Sequence, residues 1–310
     1  MNPPDISVVV CTYNRAELLP RAVESLFGQK ATCAFEVLVI DNNSIDNTPA
    51  VVESLQSTAP VALRYIAEPR QGNAYARNTG VEQAHAPIVA FLDDDVIADE
   101  NWIQTINSAF ERDPQLSFVG GKVLPLWDSN PPSWLTRSQW APLALLDYGV
   151  EEKEIAGEMP LGLLTANIAF RKEVFADIGS FSAAVQRVKD SIGSMEDTEF
   201  LMRVCRSGRT GRYLPDLITW ASIDPERLTK AYHRRWHTGN GHFYAVMNDP
   251  EWERSRFAIG GVPGHLYRET ARNAMQWLAR VVSGKTDEAF ANECSLRFFQ
   301  GFVKQRRSSR

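Results

Sequence analysis

Three consecutive carboxylates, Asp93, Asp94 and Asp95, stand directly after the apolar run Ile88 to Leu92. Three like charges at one strand end repel one another and resist ionisation unless a cation neutralises them. Carboxylate oxygens suit a hard divalent ion, Mg²⁺ or Mn²⁺, which keeps part of its water shell and bridges phosphates. A solvated acidic turn is the plainer reading, and the buried strand in front of the run favours the ion. A second acidic pair lies far along the chain, in Ser194-Met195-Glu196-Asp197-Thr198-Glu199. Phe200, Leu201 and Val204 continue from it at helical spacing, so the pair sits at a helix N-terminus. Carboxylates are electrostatically favoured there and stay ionised. An ionised Asp at that position serves either as a general base for an attacking hydroxyl or, with Ser194, as a helix cap. Spacing leaves both open.

The elements that must position these acids alternate between strand and helix. Ile6 to Val10 is a short β-branched run, a buried strand, and Leu18, Leu19, Ala22, Val23, Leu26 and Phe27 then recur at helical spacing. Phe35 to Ile40 is a second strand. Thr48 and Pro49 open a second helix, with Thr48 as its N-cap. Val61 to Ile66 alternates and reads as a third strand, Gly72 to Ala84 as a helix, and Ile88 to Leu92 as a central fourth strand. Strands alternating with helices predict a parallel sheet with right-handed crossovers. Polar clusters follow three of the strands: Thr12-Tyr13-Asn14, Asp41-Asn42-Asn43-Ser44 and the aspartate run. In open α/β sheets such strand ends share one ligand crevice. The first turn, Cys11 to Arg15, carries neither GxGxxG nor Walker glycines, so any phosphate there needs another countercharge.

Composition bounds the rest. The 310 residues allow two domains, or one large domain with an appendage. A net charge of −5 excludes a protein dedicated to nucleic acid. The four cysteines, at 11, 33, 205 and 294, form no CxxC, which excludes zinc ribbons and a disulfide framework and suits a reducing compartment. The first residues do not read as a signal peptide, and no apolar run approaches the roughly 18 residues of a membrane span. The charge is uneven: from His265 onward nine Lys/Arg face four acids. That basic tail, ending Lys304 to Arg310, is either a face for an anionic membrane surface or a solvated helix with a frayed end.

The ordered motifs Val10 to Arg15, Asp41 to Asp46, Gly72 to Gly80, Phe91 to Asp95 and Met195 to Asp197 together resemble the family 2 glycosyltransferases. Thr165 to Arg171 with Ile178 to Phe181, and Tyr213 to Asp216 with Pro225 to Arg227, are similar to the segments on either side of the Glu-Asp motif in that family. The resemblance covers residues 5 to 240. It implies an α/β fold of GT-A type, a mostly parallel sheet flanked by helices, with a helical C-terminal extension. It also implies a nucleotide-sugar donor held by Cys11, Thr12, Tyr13, Asn14, Arg15, Asp41, Asn42, Asn43, Gly72, Arg77, Asn78, Asp93 and Asp94. Asp95, with Asp93, would hold Mn²⁺ or Mg²⁺ on the diphosphate. Asp197 would deprotonate the acceptor hydroxyl with inversion at the anomeric carbon, and Glu196 would orient the acceptor or, alternatively, act as the base. Two departures stand out. Asp41-Asn42-Asn43-Ser44 replaces the common Asp-Asp-Gly-Ser, which weakens a choice between UDP and dTDP. Trp220-Ala221-Ser222 stands where many members carry a metal-binding histidine, leaving His233 or His237 as substitutes.

The implied organisation is a catalytic domain over 1–240, with a donor half (1–122) and an acceptor half (123–240), and an extension over 241–310. Trp127, Trp134 and Trp140 in a Pro-rich stretch, with Asn167, are acceptor candidates, the tryptophans as stacking platforms or as packing aromatics. Gly157 to Gly162 reads as a mobile connection. Leu266, Ala274, Trp277, Leu278 and Val281 form one amphipathic helical stripe, which either lies on a membrane or, as the default expectation, docks on the catalytic domain. The expected acceptor is a glycan or a lipid-linked acceptor, with no nucleic-acid partner, and the expected location is cytoplasmic, with a peripheral position on the inner membrane face through the basic C-terminal helices as the alternative. The competing readings are a nucleotidyltransferase, which lacks its Gly-rich loop here, and a non-catalytic glycan-binding relative.

Overall fold

The computed structural model describes residues 3–127, 130–186 and 192–308. The last two residues of the basic tail, 309 and 310, lie outside the described residues. The elements run β1 (Ile6–Thr12), α1 (Leu19–Phe27), β2 (Phe35–Asp41), α2 (Thr48–Thr58), β3 (Ala62–Ala67), α3 (Asn73–Gln83), β4 (Ile88–Asp93), β5 (Val96–Ala98), α4 (Trp102–Arg112), β6 (Phe118–Leu126), β7 (Lys153–Ile155), β8 (Ile168–Arg171), α5 (Glu173–Ile178), α6 (Glu196–Arg206) and β9 (Gly211–Ser222). They continue with α7 (Lys230–Met247), β10 (Ala258–Ile259), β11 (Val262–Pro263), α8 (Gly264–Val282) and α9 (Thr286–Ser308).

The chain divides into two compact units, the first from the described parts of 1–126, 145–189 and 196–222, the second from those of 127–144, 190–195 and 223–310. The expected boundary at 240 falls inside the unbroken helix α7.

The first unit is an α/β layer around one sheet in the order β3-β2-β1-β4-β8-β6-β9-β5, with β7 on β9. The strands β3, β2, β1 and β4 pair in parallel, as alternation with helices requires. Beyond β4 the sheet is mixed, because β8 runs antiparallel to both β4 and β6. The continuously apolar β1, β2 and β4 are buried almost throughout. The alternating β3 is half-exposed at the edge. Register sets the strand ends level, with Thr12 opposite Asp41 and Cys11 opposite Asp93. Behind the far half of the sheet an aromatic cluster fixes α6: Phe200 stacks on Phe175 at 4.9 Å and packs on Phe181 at 4.6 Å and Phe170 at 5.4 Å. Such pairs add directional packing to ordinary apolar burial.

The second unit is helical. Its core joins Ala245, Val262, Leu266 and Phe302, with Tyr244, Trp252, Phe298 and Phe299 packed against them. Helices α7 and α9 cross in direct backbone contact. A Cβ on Gly241 would lie 2.0 Å from the Phe298 carbonyl oxygen, and one on Gly301 would lie 1.9 Å from that of Thr238. No other residue fits at that crossing.

Candidate functional site

The loops after β1 and β2 are stitched to each other. The Asn14 backbone N–H donates to Ser44 Oγ, the Ile45 N–H to Asn14 Oδ1, and the Ala16 N–H to Asp46 Oδ2, at 2.8–3.0 Å. Asn14 (φ 51°) and Asn43 (φ 65°) take the left-handed conformation. Asparagine tolerates that region better than other side chains, so these loops turn sharply without the glycines of a dinucleotide fold. Asp46 binds the Thr48 N–H and hydroxyl through Oδ1. These bonds and that from Ala16 hold the Asp46 carboxyl below its usual range despite the opposing effect of burial. Asp46, rather than Thr48, therefore organises the start of α2.

Several expected donor contacts are committed to bracing. Asp41 accepts from the Ser44 N–H and the Tyr65 hydroxyl, the latter at 2.7 Å. Asn42 uses both ends of its amide: Oδ1 accepts from the Gly72 N–H at 2.7 Å, and Nδ2 donates to the Arg70 carbonyl at 2.6 Å. That leaves Asn43, exposed like Asn47, as an open asparagine beside the strand end. Gly72 sits at φ 142°, and a Cβ there would lie 2.2 Å from Gln186 Oε1, which accepts the Ala74 N–H at the start of α3. Asn78 closes a two-way bond with the Phe181 backbone and so anchors the segment before α6. The polar cluster after β3 was missed from sequence, although it follows the same strand-end rule. Glu68 takes three bonds from Arg70 and one from Thr79. Bonding to Arg70 above all, against burial, holds the Glu68 carboxyl down to about 2.

The aspartate run occupies the turn between β4 and β5. Arg15 reaches it from the first loop, with Nη1 2.6 Å from Asp94 Oδ1 and 3.0 Å from Asp95 Oδ2. Burial pushes the Asp94 carboxyl up to about 6, against the pull of Arg15 and with the push of Asp95. Tyr13 and Cys11 are half-buried beside this turn and Thr12 is buried. Burial also holds the Cys11 thiol up to about 12, so it is no thiolate.

From the other side comes Arg77. Its Nη1 lies 2.5 Å from Glu196 Oε1 and its Nη2 3.8 Å from Asp93 Oδ1. Only 8% of the Arg77 side chain and 1% of that of Glu196 are exposed. The guanidinium therefore ties the start of α6 to the end of β4 inside the protein. Burial, the Glu196 charge and then Asp93 together lift the Asp197 carboxyl from 3.8 to about 6, with Arg77 opposing them. Five carboxylates thus stand around two guanidiniums. A site so far from neutral is suited to a cation. Among the described residues no set of three or more His, Cys, Asp or Glu side chains forms a closed metal cage. An ion held by one or two carboxylates and completed by substrate phosphates and water needs none, and the exposed edge of Asp93 and Asp95 fits that mode.

The remaining expected residues lie elsewhere. Asn167 is wholly buried, its Oδ1 accepting from Trp102 Nε1 and its Nδ2 donating to the Lys122 and Leu217 carbonyls, so it braces the sheet. Trp127, Trp134 and Trp140 belong to the second unit. Trp134 is buried there edge-on to His233 at 4.8 Å and Phe290 at 4.9 Å, which makes it a packing residue. Trp127 and Trp140 are half-buried, with Arg137 over the Trp140 ring. His233 is fully buried with Nε2 on the Arg227 carbonyl, and burial pushes it down to about 4. Its Nδ1 is buried among aromatic rings with no hydrogen-bond partner. The strand end that would carry the family's histidine does lie beside the aspartates: Trp220 pairs with Ile97, and the Ser222 N–H donates to the Asp95 carbonyl.

The sequence profile of the family described as glycosyl transferase family 2 matches residues 7–179, more than half of the chain. The chain belongs to that family. This family 2 chain is similar to the glucosyl-dolichyl phosphate glucuronosyltransferase of Haloferax volcanii, 28% identical over 201 residues, which are 64% of this chain and 63% of that protein. The chain therefore spans less than two thirds of that relative. It is also similar to the succinoglycan biosynthesis protein ExoM of Rhizobium meliloti, 25% identical over 243 residues, 76% of this chain and 74% of that one. In fold it is similar to a Pyrobaculum calidifontis mannosyltransferase solved with GDP-Man and Mn²⁺, at 18% identity and a TM-score of 0.59, covering 99% of this chain and 85% of that one. S. aureus TarS 1–349 with UDP-GlcNAc gives 18% identity and a TM-score of 0.54, with 94% and 91% covered. At those identities the likeness is one of fold, and it is to GT-A glycosyltransferases.

Proposed function

We propose that the protein is an inverting, divalent-metal-dependent glycosyltransferase. It moves a hexosyl group from a UDP- or dTDP-sugar to a hydroxyl of a glycan or lipid-linked acceptor, in cytoplasmic polysaccharide or glycoconjugate assembly. The observation that carries this reading is Arg77, which draws the Asp93 and Glu196–Asp197 stations into one site. Similarity to a succinoglycan biosynthesis protein and to a glucosyl-dolichyl phosphate glucuronosyltransferase supports the acceptor class.

Asp95 and Asp93 would hold Mn²⁺ or Mg²⁺, which when bound supplies charge neutralisation to the departing diphosphate. The base and ribose rest on the loops at Thr12 to Arg15 and Asp41 to Asn43, with Asn43 as the side chain open to the base edge. The acceptor oxygen attacks the anomeric carbon from the face opposite the diphosphate. Its proton passes to Asp197, the new C–O bond forms, the bond to the diphosphate oxygen breaks, and the nucleoside diphosphate leaves. A base with its carboxyl raised to about 6 is matched to work near neutral pH. Glu196, locked on Arg77, is a positioning residue: it sets the angle of the first turn of α6 and the charge felt by Asp197. The test is a thermal-shift panel of UDP-, dTDP- and GDP-sugars with and without Mn²⁺. The melting temperature should rise with a UDP- or dTDP-sugar only when Mn²⁺ is present. A flat panel, or a rise independent of the ion, overturns the reading.

A further inference from the structure

Helix α8 is built inside out. Over its second half the side turned toward α9 carries polar contacts beside the half-buried Trp277: Asn292 on α9 donates to Asn273 Oδ1 at 2.9 Å and to Gln276 Oε1 at 3.0 Å, and accepts from Arg280 Nη1 at 2.6 Å. The side turned to solvent is apolar. Met275 is 67%, Leu278 57% and Val282 80% exposed, with Ala271 exposed one turn earlier. The spacing 271, 275, 278, 282 is a single helical stripe. Of the stripe read from sequence, only Leu266 is buried, while Leu278 and Val281 face outward. The β10–β11 hairpin, tied to α8 by a bond from the Tyr267 hydroxyl to the Ile259 carbonyl, adds Phe257 and Ile259, each 57% exposed. Every large apolar side chain strongly exposed on the second unit thus falls within 257–282.

Charge decides what covers this face. From 254 to 285 the chain carries six cations and one acid, Glu269; Arg254 pairs with Glu251, and Arg280 and Lys285 pair with Glu288, which leaves Arg256, Arg268 and Arg272 as the cations beside the stripe and hairpin. Arg268 and Arg272 flank the stripe, exposed, and make no ion pair among the described residues. A second copy of the chain would bring the same patch against itself, setting these cations against each other. Lone exposed apolar residues need no explanation, but a continuous stripe rimmed by cations does. No helix among the described residues is long and apolar enough to cross a bilayer. A helix with an apolar stripe and flanking arginines lies in the plane of an interface, its stripe among acyl chains and its cations at anionic headgroups.

We infer that the outward face of α8, with the β10–β11 hairpin, is a docking surface for an anionic lipid membrane. It goes beyond the proposed chemistry and does not depend on it. The test is co-sedimentation of the full chain with vesicles of phosphatidylcholine alone or mixed with phosphatidylglycerol. Binding is expected only to the mixed vesicles and to weaken with salt. The double substitution Met275→Glu and Leu278→Glu should lower partitioning by about a hundredfold, and Arg268→Ala with Arg272→Ala by roughly tenfold or more. Both variants should keep the circular dichroism spectrum and melting temperature of the parent. Leu278→Trp should shift its fluorescence to the blue on adding mixed vesicles. No binding, equal binding to neutral vesicles, or an unmoved tryptophan spectrum overturns the inference. So does a dimer in light scattering that Leu278→Glu converts to monomer, since the face would then belong to a second copy.

Discussion

The two acidic stations of the site are each served by one arginine, and the two arginines are held very differently. Arg15 is 31% exposed and lies along the Asp94 and Asp95 oxygens at the mouth of the β4–β5 turn. Arg77 is 8% exposed and is clamped to a Glu196 that is 1% exposed. Arg15 and Asp95 sit where water and ligand reach them, so their geometry is exchangeable, although Asp94 beneath them is buried. The Arg77–Glu196 pair is sealed, and breaking it strands a charge. On the proposed reading, one station would take on and release a charged ligand, and the other would hold a base in fixed orientation.

The largest effect expected is on the base. Asp197→Asn should lower turnover by about 10²–10⁴-fold while donor binding stays intact, measured by steady-state kinetics beside calorimetry. Parent-like turnover would break the assignment. In the parent, kcat/KM should fall as pH drops below about 6, since the raised carboxyl is then protonated in the free enzyme. Stability runs the other way. A carboxyl raised from 3.8 to about 6 stabilises the fold below about 4, and that contribution is lost as pH rises through 6. Asp197→Asn should therefore raise the melting temperature above the parent's at pH 7 but not at pH 4.

Arg77→Ala should cost about 3–5 kcal/mol in denaturant unfolding, because it leaves Glu196 buried and unpaired. Adding Glu196→Gln should recover part of that loss. If Arg77→Ala unfolds like the parent, the contrast between the two stations is void. Asp95→Ala is milder for the fold. It should abolish the Mn²⁺-dependent part of donor binding in calorimetry and leave the apo melting temperature within a few degrees.

Much of this site was legible in sequence because strand ends announce themselves. Apolar runs at Ile6, Phe35 and Ile88 place Thr12, Asp41 and Asp93 by register, and parallel pairing makes them level. What a side chain does once there was less legible. Asn42 and Asn78 sit where expected but spend their amides on backbone bracing. Asn167 and Trp134 look like ligand residues by type and prove to be core, because burial of a polar group depends on partners distant in sequence, such as Trp102 and His233. The orientation of the stripe on α8 stayed open in sequence for a related reason. Periodicity gives the apolar face of a helix but not the direction in which it is turned, and here a polar contact through Asn292 turns it outward.

The smallest effect expected separates the stations most sharply. Arg15→Gln removes a partly exposed guanidinium, and Asp94 can answer by taking up a proton, so the loss should be about 1 kcal/mol. Its response to metal is the informative part. Arg15 lies on Asp95 Oδ2, one of the two oxygens that Asp95 could offer an ion. Removing that competitor should make Mn²⁺ alone raise the melting temperature of Arg15→Gln by more than it raises that of the parent. Equal Mn²⁺ shifts in the parent and Arg15→Gln would mean that guanidinium and metal do not compete, and that both stations are fixed scaffolding.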